Sequence, residues 1–117
     1  KSKKEFLSSL ADIHKKGGTV IGWGASARSS TLLNFCGIDS KLIPLIADKS
    51  ELKHGFYTAG SKIPIKSPKQ SMKTLPKCVV VLGWNFGEEI IKDLKESFNY
   101  NGSYLFPLPF APKFLQS

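Results

Sequence analysis

The stretch TVIGWGASARSSTLLN, Thr19 to Asn34, constrains the fold more than any other part of the chain. An apolar run meets two glycines one residue apart, then a turn rich in serine and alanine, then a segment with helical spacing. That order is strand, turn, helix, the opening unit of a sheet whose strands are joined through helices. Within it, Gly22-x-Gly24-x-x-Ala27 fits the relaxed dinucleotide-binding pattern. The pattern places Gly22 at a tight turn, Gly24 where backbone amides approach an anion, and Ala27 where the helix packs on the strand.

The rest of the chain continues the alternation. Phe6, Leu7, Leu10, Ala11, Ile13 and His14 follow helical spacing ahead of Gly17-Gly18. Leu42–Ala47 reads as a second strand and Ile63–Ile65 as a short edge strand, since Pro64 cannot donate to a ladder. Ser67–Thr74 has room for a short helix. Cys78–Leu82 is a continuous β-branched run of the kind covered on both faces. Asn85 and Glu88 are spaced as a capping box, opening a helix that carries Phe86, Ile90, Ile91, Leu94 and Phe98. SYLF is a last strand, followed by a Pro-rich tail. The expected architecture is α/β: a small Rossmann-like parallel sheet, order 3-2-1-4-5, with helices on both faces. Residues 1–17 read as a leading amphipathic helix and linker, and 18–117 as the Rossmann-like domain.

The net charge of +8 raises the question of nucleic acid, but 16 of the 17 basic residues are lysines scattered along the chain. The bidentate fork that reads bases and phosphates is arginine's, and Arg28 is the sole arginine. No nucleic-acid signature, membrane-length apolar run or signal-peptide pattern is present. Two cysteines, Cys36 and Cys78, stand inside apolar segments, as free thiols do in a reducing cytoplasm, and no Cys/His spacing suits a metal. Opening at Lys1 points to a piece of a longer protein.

In such a sheet, ligands sit beyond the carboxyl ends of the strands where strand order reverses. Here that is between the first and fourth strands, and the lining loops are GWGASARS (22–29) and GWNF (83–86). The chain's two tryptophans, Trp23 and Trp84, fall one in each loop, so they either cap the core or present flat faces to a ligand. Ser26 and Ser29 offer hydroxyls or a helix cap, and Arg28 a fixed positive charge. Asp48 lies 26 residues after Gly22, where an acidic residue accepts ribose hydroxyls. It also fits a capping box with Glu51. His54 has no evident partner and reads as solvated.

The combination of GWGASARSSTLLNFCGI, DKSELKHGFYTAGSKIPI and LGWN resembles the C-terminal domain of S-adenosylmethionine-dependent sugar C-methyltransferases. The family pattern is matched at Gly22, Gly24, Ala25, Thr31, Leu32, Leu33 and Asn34. It is matched again at Asp48, Lys53, Gly55, Gly60, Ile63-Pro64-Ile65 and Trp84-Asn85. The chain departs from it at Trp23 for tyrosine, Arg28 for lysine and Ser29-Ser30 for Gly-Asn. The resemblance implies a cytoplasmic enzyme in which an upstream zinc-binding segment and a central methyltransferase domain precede this one. The central domain would hold S-adenosylmethionine and the catalytic base. This domain would anchor a nucleotide-linked deoxysugar for methylation of a ring carbon, through Gly22, Trp23, Gly24, Ala25, Ser26, Arg28, Ser29, Asp48, Trp84 and Asn85. No residue here is assigned to catalysis or to a metal. The alternative is a non-catalytic module binding a nucleotide, NAD or coenzyme A.

Overall fold

The computed structural model describes residues 2–83, 86–107 and 113–116. The elements in chain order are α1 (Ser2–Lys15), β1 (Val20–Trp23), α2 (Ala27–Cys36) and β2 (Ile46–Ala47). A 3-10 turn (Glu51–Lys53) leads to β3 (Ile65–Lys66), α3 (Pro68–Ser71), β4 (Cys78–Val81), α4 (Gly87–Phe98), β5 (Ser103–Phe106) and β6 (Lys113–Gln116). The sheet order is β3-β2-β1-β4-β5-β6. The first five strands pair in parallel, in the order expected. β6 pairs antiparallel to β5, with Ser103 opposite Gln116. The sequence places this segment in the Pro-rich tail, where the prolines hide a four-residue strand behind them.

Side-chain alternation along the strands divides the core into two layers. Val20, Ile46, Cys78, Val80 and Leu105 face Phe6, Leu10, Leu32 and Leu33 from α1 and α2. Ile21, Trp23, Val79, Val81 and Tyr104 face Met72 and the α4 residues Ile90 and Leu94. Helices therefore cover both faces, which is why Cys78–Val81 carries no polar position. Phe6 and Leu10 are fully enclosed, so α1 belongs to the same core as the sheet.

Three local expectations need correction. The second strand is only Ile46–Ala47, because Leu42 and Ile43 turn back to hydrogen-bond the carbonyl of Asp39 ahead of Pro44. Gly22 lies inside β1, where a Cβ would meet Leu82 at 2.9 Å and Ile46 at 3.1 Å, so its role is packing rather than turning. α4 starts with Phe86 at its N-cap, offering no side-chain acceptor, and Phe86 is exposed. The expected Asn85–Glu88 box rests on Asn85, which, like Trp84, lies outside the described residues.

Candidate functional site

The turn after β1 takes its shape from Gly24. Its φ of +101° is one that side-chain-bearing residues rarely adopt, and a Cβ there would lie 3.0 Å from the amide nitrogen of Gly83. The amides of Leu82 and Gly83 both donate to the carbonyl of Trp23, at 3.0 and 3.1 Å. The turns after β1 and β4 are thus in direct contact at the point where strand order reverses.

Trp23 is in β1 rather than in the loop, and it is 4% exposed. Its indole meets Phe98 of α4 edge to face, with centroids 6.4 Å apart. The alternation of β1 sends this side chain into the α4 layer, which corrects the expectation that it lies open beside a ligand.

Ser26 is the N-cap of α2, its hydroxyl accepting the amide of Ser29 at 3.1 Å. Ser29 is fully buried and donates its own hydroxyl to the carbonyl of Gly24 at 2.7 Å. It braces the turn from inside. Arg28 is exposed on the first turn of α2.

Asp48 occupies the end of β2 as expected, but its carboxylate is directed into the protein. Oδ2 accepts the amide of Ala25 at 2.8 Å, and Oδ1 accepts the amide of Ser50 at 2.8 Å. The amide that a glycine-rich turn would present to an external phosphate is therefore bonded to an internal carboxylate. Asp48 does not cap with Glu51 either, since Ser50 holds the N-cap position of the 3-10 turn. His54, expected to be solvated, is half-buried and donates from Nε2 to the carbonyl of Asp48 at 2.5 Å.

Lys53 completes this cluster, and nothing in its local sequence marked it as a site residue. Its ammonium donates to the carbonyl of Ala25 and stands 3.6 Å from Asp48 Oδ2. The signal that could have found it was its place in the Asp-(x)4-Lys-x-Gly pattern. Beyond Lys53 the chain forms a hairpin. The amides of Gly55 and Thr58 donate to the carbonyls of Ile65 and Ile63, Ile65 donates back to the carbonyl of Phe56, and Ile63 donates to the Thr58 hydroxyl. Asn34 Nδ2 of α2 donates to the carbonyl of Ala59 at the hairpin tip, at 3.1 Å. Between α2 and this hairpin is a hollow of about 230 Å³, lined by residues that include Ala25, Ser26, Ser30, Lys53 and Tyr57. It lies on the β2 side of β1, not on the β4 side where the sequence placed the crevice. A larger concavity, about 840 Å³, opens at the opposite end of the sheet among Lys16, Gly18, Lys77 and Asn101.

Among the described residues no group of three or more His, Cys, Asp or Glu side chains is placed to hold a metal ion. No helix among them is long and apolar enough to cross a membrane. Burial pushes the Cys78 thiol up to about 12, and raises that of Cys36 against the pull of Lys3, so neither is poised as a nucleophile.

Residues 1–109 match the family described as C-methyltransferase C-terminal domain. The chain belongs to that family. It is also 39% identical over 93 residues to the C-methyltransferase NovU of Streptomyces niveus, an alignment covering 80% of this chain and 22% of that protein. The chain thus spans about a fifth of the length of that relative. Within this chain Asp48 and Lys53 form the carboxylate–ammonium pair that clasps the Ala25 turn, and Asn34 and Gly60 meet at the hairpin tip.

Proposed function

We propose that this domain anchors the nucleotide-linked sugar substrate of an S-adenosylmethionine-dependent C-methyltransferase, while methyl transfer to a ring carbon takes place on another part of the protein. The observation that carries the reading is the family match over nearly the whole chain. Several features support the division. The Ala25 amide is bonded to Asp48 and Gly24 abuts Gly83, so the glycine-rich turn does not fit S-adenosylmethionine. The same bonds weigh against an NAD or coenzyme A module, because the Asp48 carboxylate that would take ribose hydroxyls is already engaged by two amides. The zinc-binding and methyltransferase segments belong upstream in the same cytoplasmic polypeptide.

The substrate contacts we assign are Ser26 and Arg28 at the start of α2, together with Trp84 and Asn85. Remote anchoring can place a reacting carbon without touching it, converting binding energy into orientation. Titration with a nucleotide-linked keto-deoxysugar, NAD, coenzyme A and S-adenosylmethionine tests the reading: only the first should bind, and the chain alone should transfer no methyl group. Arg28→Ala should weaken nucleotide-sugar binding about 10- to 100-fold, the loss of one charge-assisted hydrogen bond. Preferential binding of NAD or turnover by this chain would overturn the assignment.

A further inference from the structure

We infer that the hollow between α2 and the 55–65 hairpin receives the phosphate of the nucleotide carrier, with Lys53 as its cation and the Tyr57 ring as the wall beside it. The inference rests on the substrate-anchoring reading above and names the residues that would serve it. The argument begins from the Asp48–Ala25 bond. An anion already sits on the glycine-rich turn and it is part of the chain. An incoming phosphate has to be met by other donors, and Lys53 is the one charged side chain among the described residues that lines the hollow.

The lysine is prepared for that role. An ammonium has three N–H donors. One goes to the carbonyl of Ala25, and a second faces Asp48 Oδ2 at 3.6 Å, which leaves the third for a ligand. Asp48 does not line the hollow, and within the pair it is the enclosed member: its side chain is 14% exposed against 43% for Lys53. The carboxylate's charge is shared among the ammonium and two backbone amides, so it fixes Lys53 in place while the cation faces outward. A lysine held in this way loses little further rotamer freedom when a phosphate arrives.

Size and shape point the same way. A volume of about 230 Å³ equals roughly eight waters at ~30 Å³ each. That accommodates a phosphate or diphosphate but not a complete nucleotide sugar, so the remainder must run outward. Tyr57 lines the hollow with 64% of its surface exposed, on a hairpin tied at its tip by Asn34 and at its base by Lys53. A flat ring held on a braced hairpin is suited to stack against a base or a sugar face.

The test is calorimetric titration of the chain with inorganic pyrophosphate and with UDP, at fixed ionic strength. Both should bind wild type. Lys53→Met should weaken both at least tenfold. Tyr57→Ala should weaken UDP about fivefold or more while leaving pyrophosphate within twofold. Wild-type affinities in Lys53→Met would overturn this site while leaving the anchoring reading intact. Failure of wild type to bind any nucleoside diphosphate or nucleotide sugar would overturn both. Because Lys53 also braces the Ala25 turn, a measurement on the unaltered chain stands beside the variants. Saturating pyrophosphate should protect Lys53 from acetylation, read by mass spectrometry, and unchanged labelling of Lys53 would sink the inference.

Discussion

Asn34 and Gly60 occupy one another's space: a Cβ on Gly60 would lie 2.5 Å from Asn34 Oδ1, and the neighbouring Ala59 carbonyl accepts from Asn34 Nδ2. Gly60 also has a φ of +78°. Gly60→Ala should therefore lower stability by about 1–3 kcal/mol, from backbone strain and from displacing the amide. Urea denaturation measures it. In Asn34→Ala the steric share disappears, so the double variant should lose less than the sum of the singles. Additive losses would show that the contact is not the cause.

Two tyrosines packed edge to face, with centroids 5.7 Å apart, should respond oppositely to loss of their hydroxyls. Tyr100 donates to the carbonyl of Pro76 at 2.8 Å, whereas the buried Tyr104 hydroxyl has no hydrogen-bond partner among the described residues. Tyr100→Phe should cost about 0.5–1.5 kcal/mol, and more if the Pro76 carbonyl is left without a donor. Tyr104→Phe should be neutral or stabilising, since it removes a buried polar atom and keeps the ring. Thermal melts of both variants check the order, and a larger loss at Tyr104 would contradict it.

Alkali should destabilise the domain. Burial raises the Cys78 thiol from 9.0 to about 12 and raises Tyr100 and Tyr104 above their ordinary range. Between 9.0 and about 12 the unfolded chain has lost the Cys78 proton while the folded chain keeps it. The unfolded state then binds fewer protons, so stability falls as pH rises. The urea midpoint should hold below pH 8 and decline above pH 9, and Cys78→Ala should make the decline shallower. A midpoint that rises across that range would reverse the sign of the argument.

The fold was legible in the sequence because burial and chain direction leave periodic marks. Cys78–Val81 is apolar at every position since both faces are covered, and the strand–glycine–helix order at Val20–Cys36 sets the parallel topology. The site was less legible. Gly22, Gly24 and Ala27 satisfy a phosphate-binding pattern, yet the pattern specifies a backbone shape and not the identity of the anion on it. That anion comes from Asp48, 23 residues beyond Ala25, and a long-range bond of that kind has no periodicity to betray it. Trp23 misled for a related reason. It follows the first glycine as a loop residue would, but β1 runs one residue further and its alternation turns the indole inward. Tyr57 carries no local signal, and Lys53 only its place in the Asp-(x)4-Lys-x-Gly pattern, because a hairpin, not a helix or a strand repeat, brings them beside α2.

The carboxylate of Asp48 reaches one amide on each of two turns, those after β1 and β2. Fixing a residue's backbone costs ~1–2 kcal/mol of conformational entropy, and a loose rim would leave that cost to be met when a ligand binds. Here both turns are set during folding by a group of the chain itself. A ligand that lands beside Lys53 meets a surface whose disorder has already been removed, and so it can be held in one orientation rather than merely held.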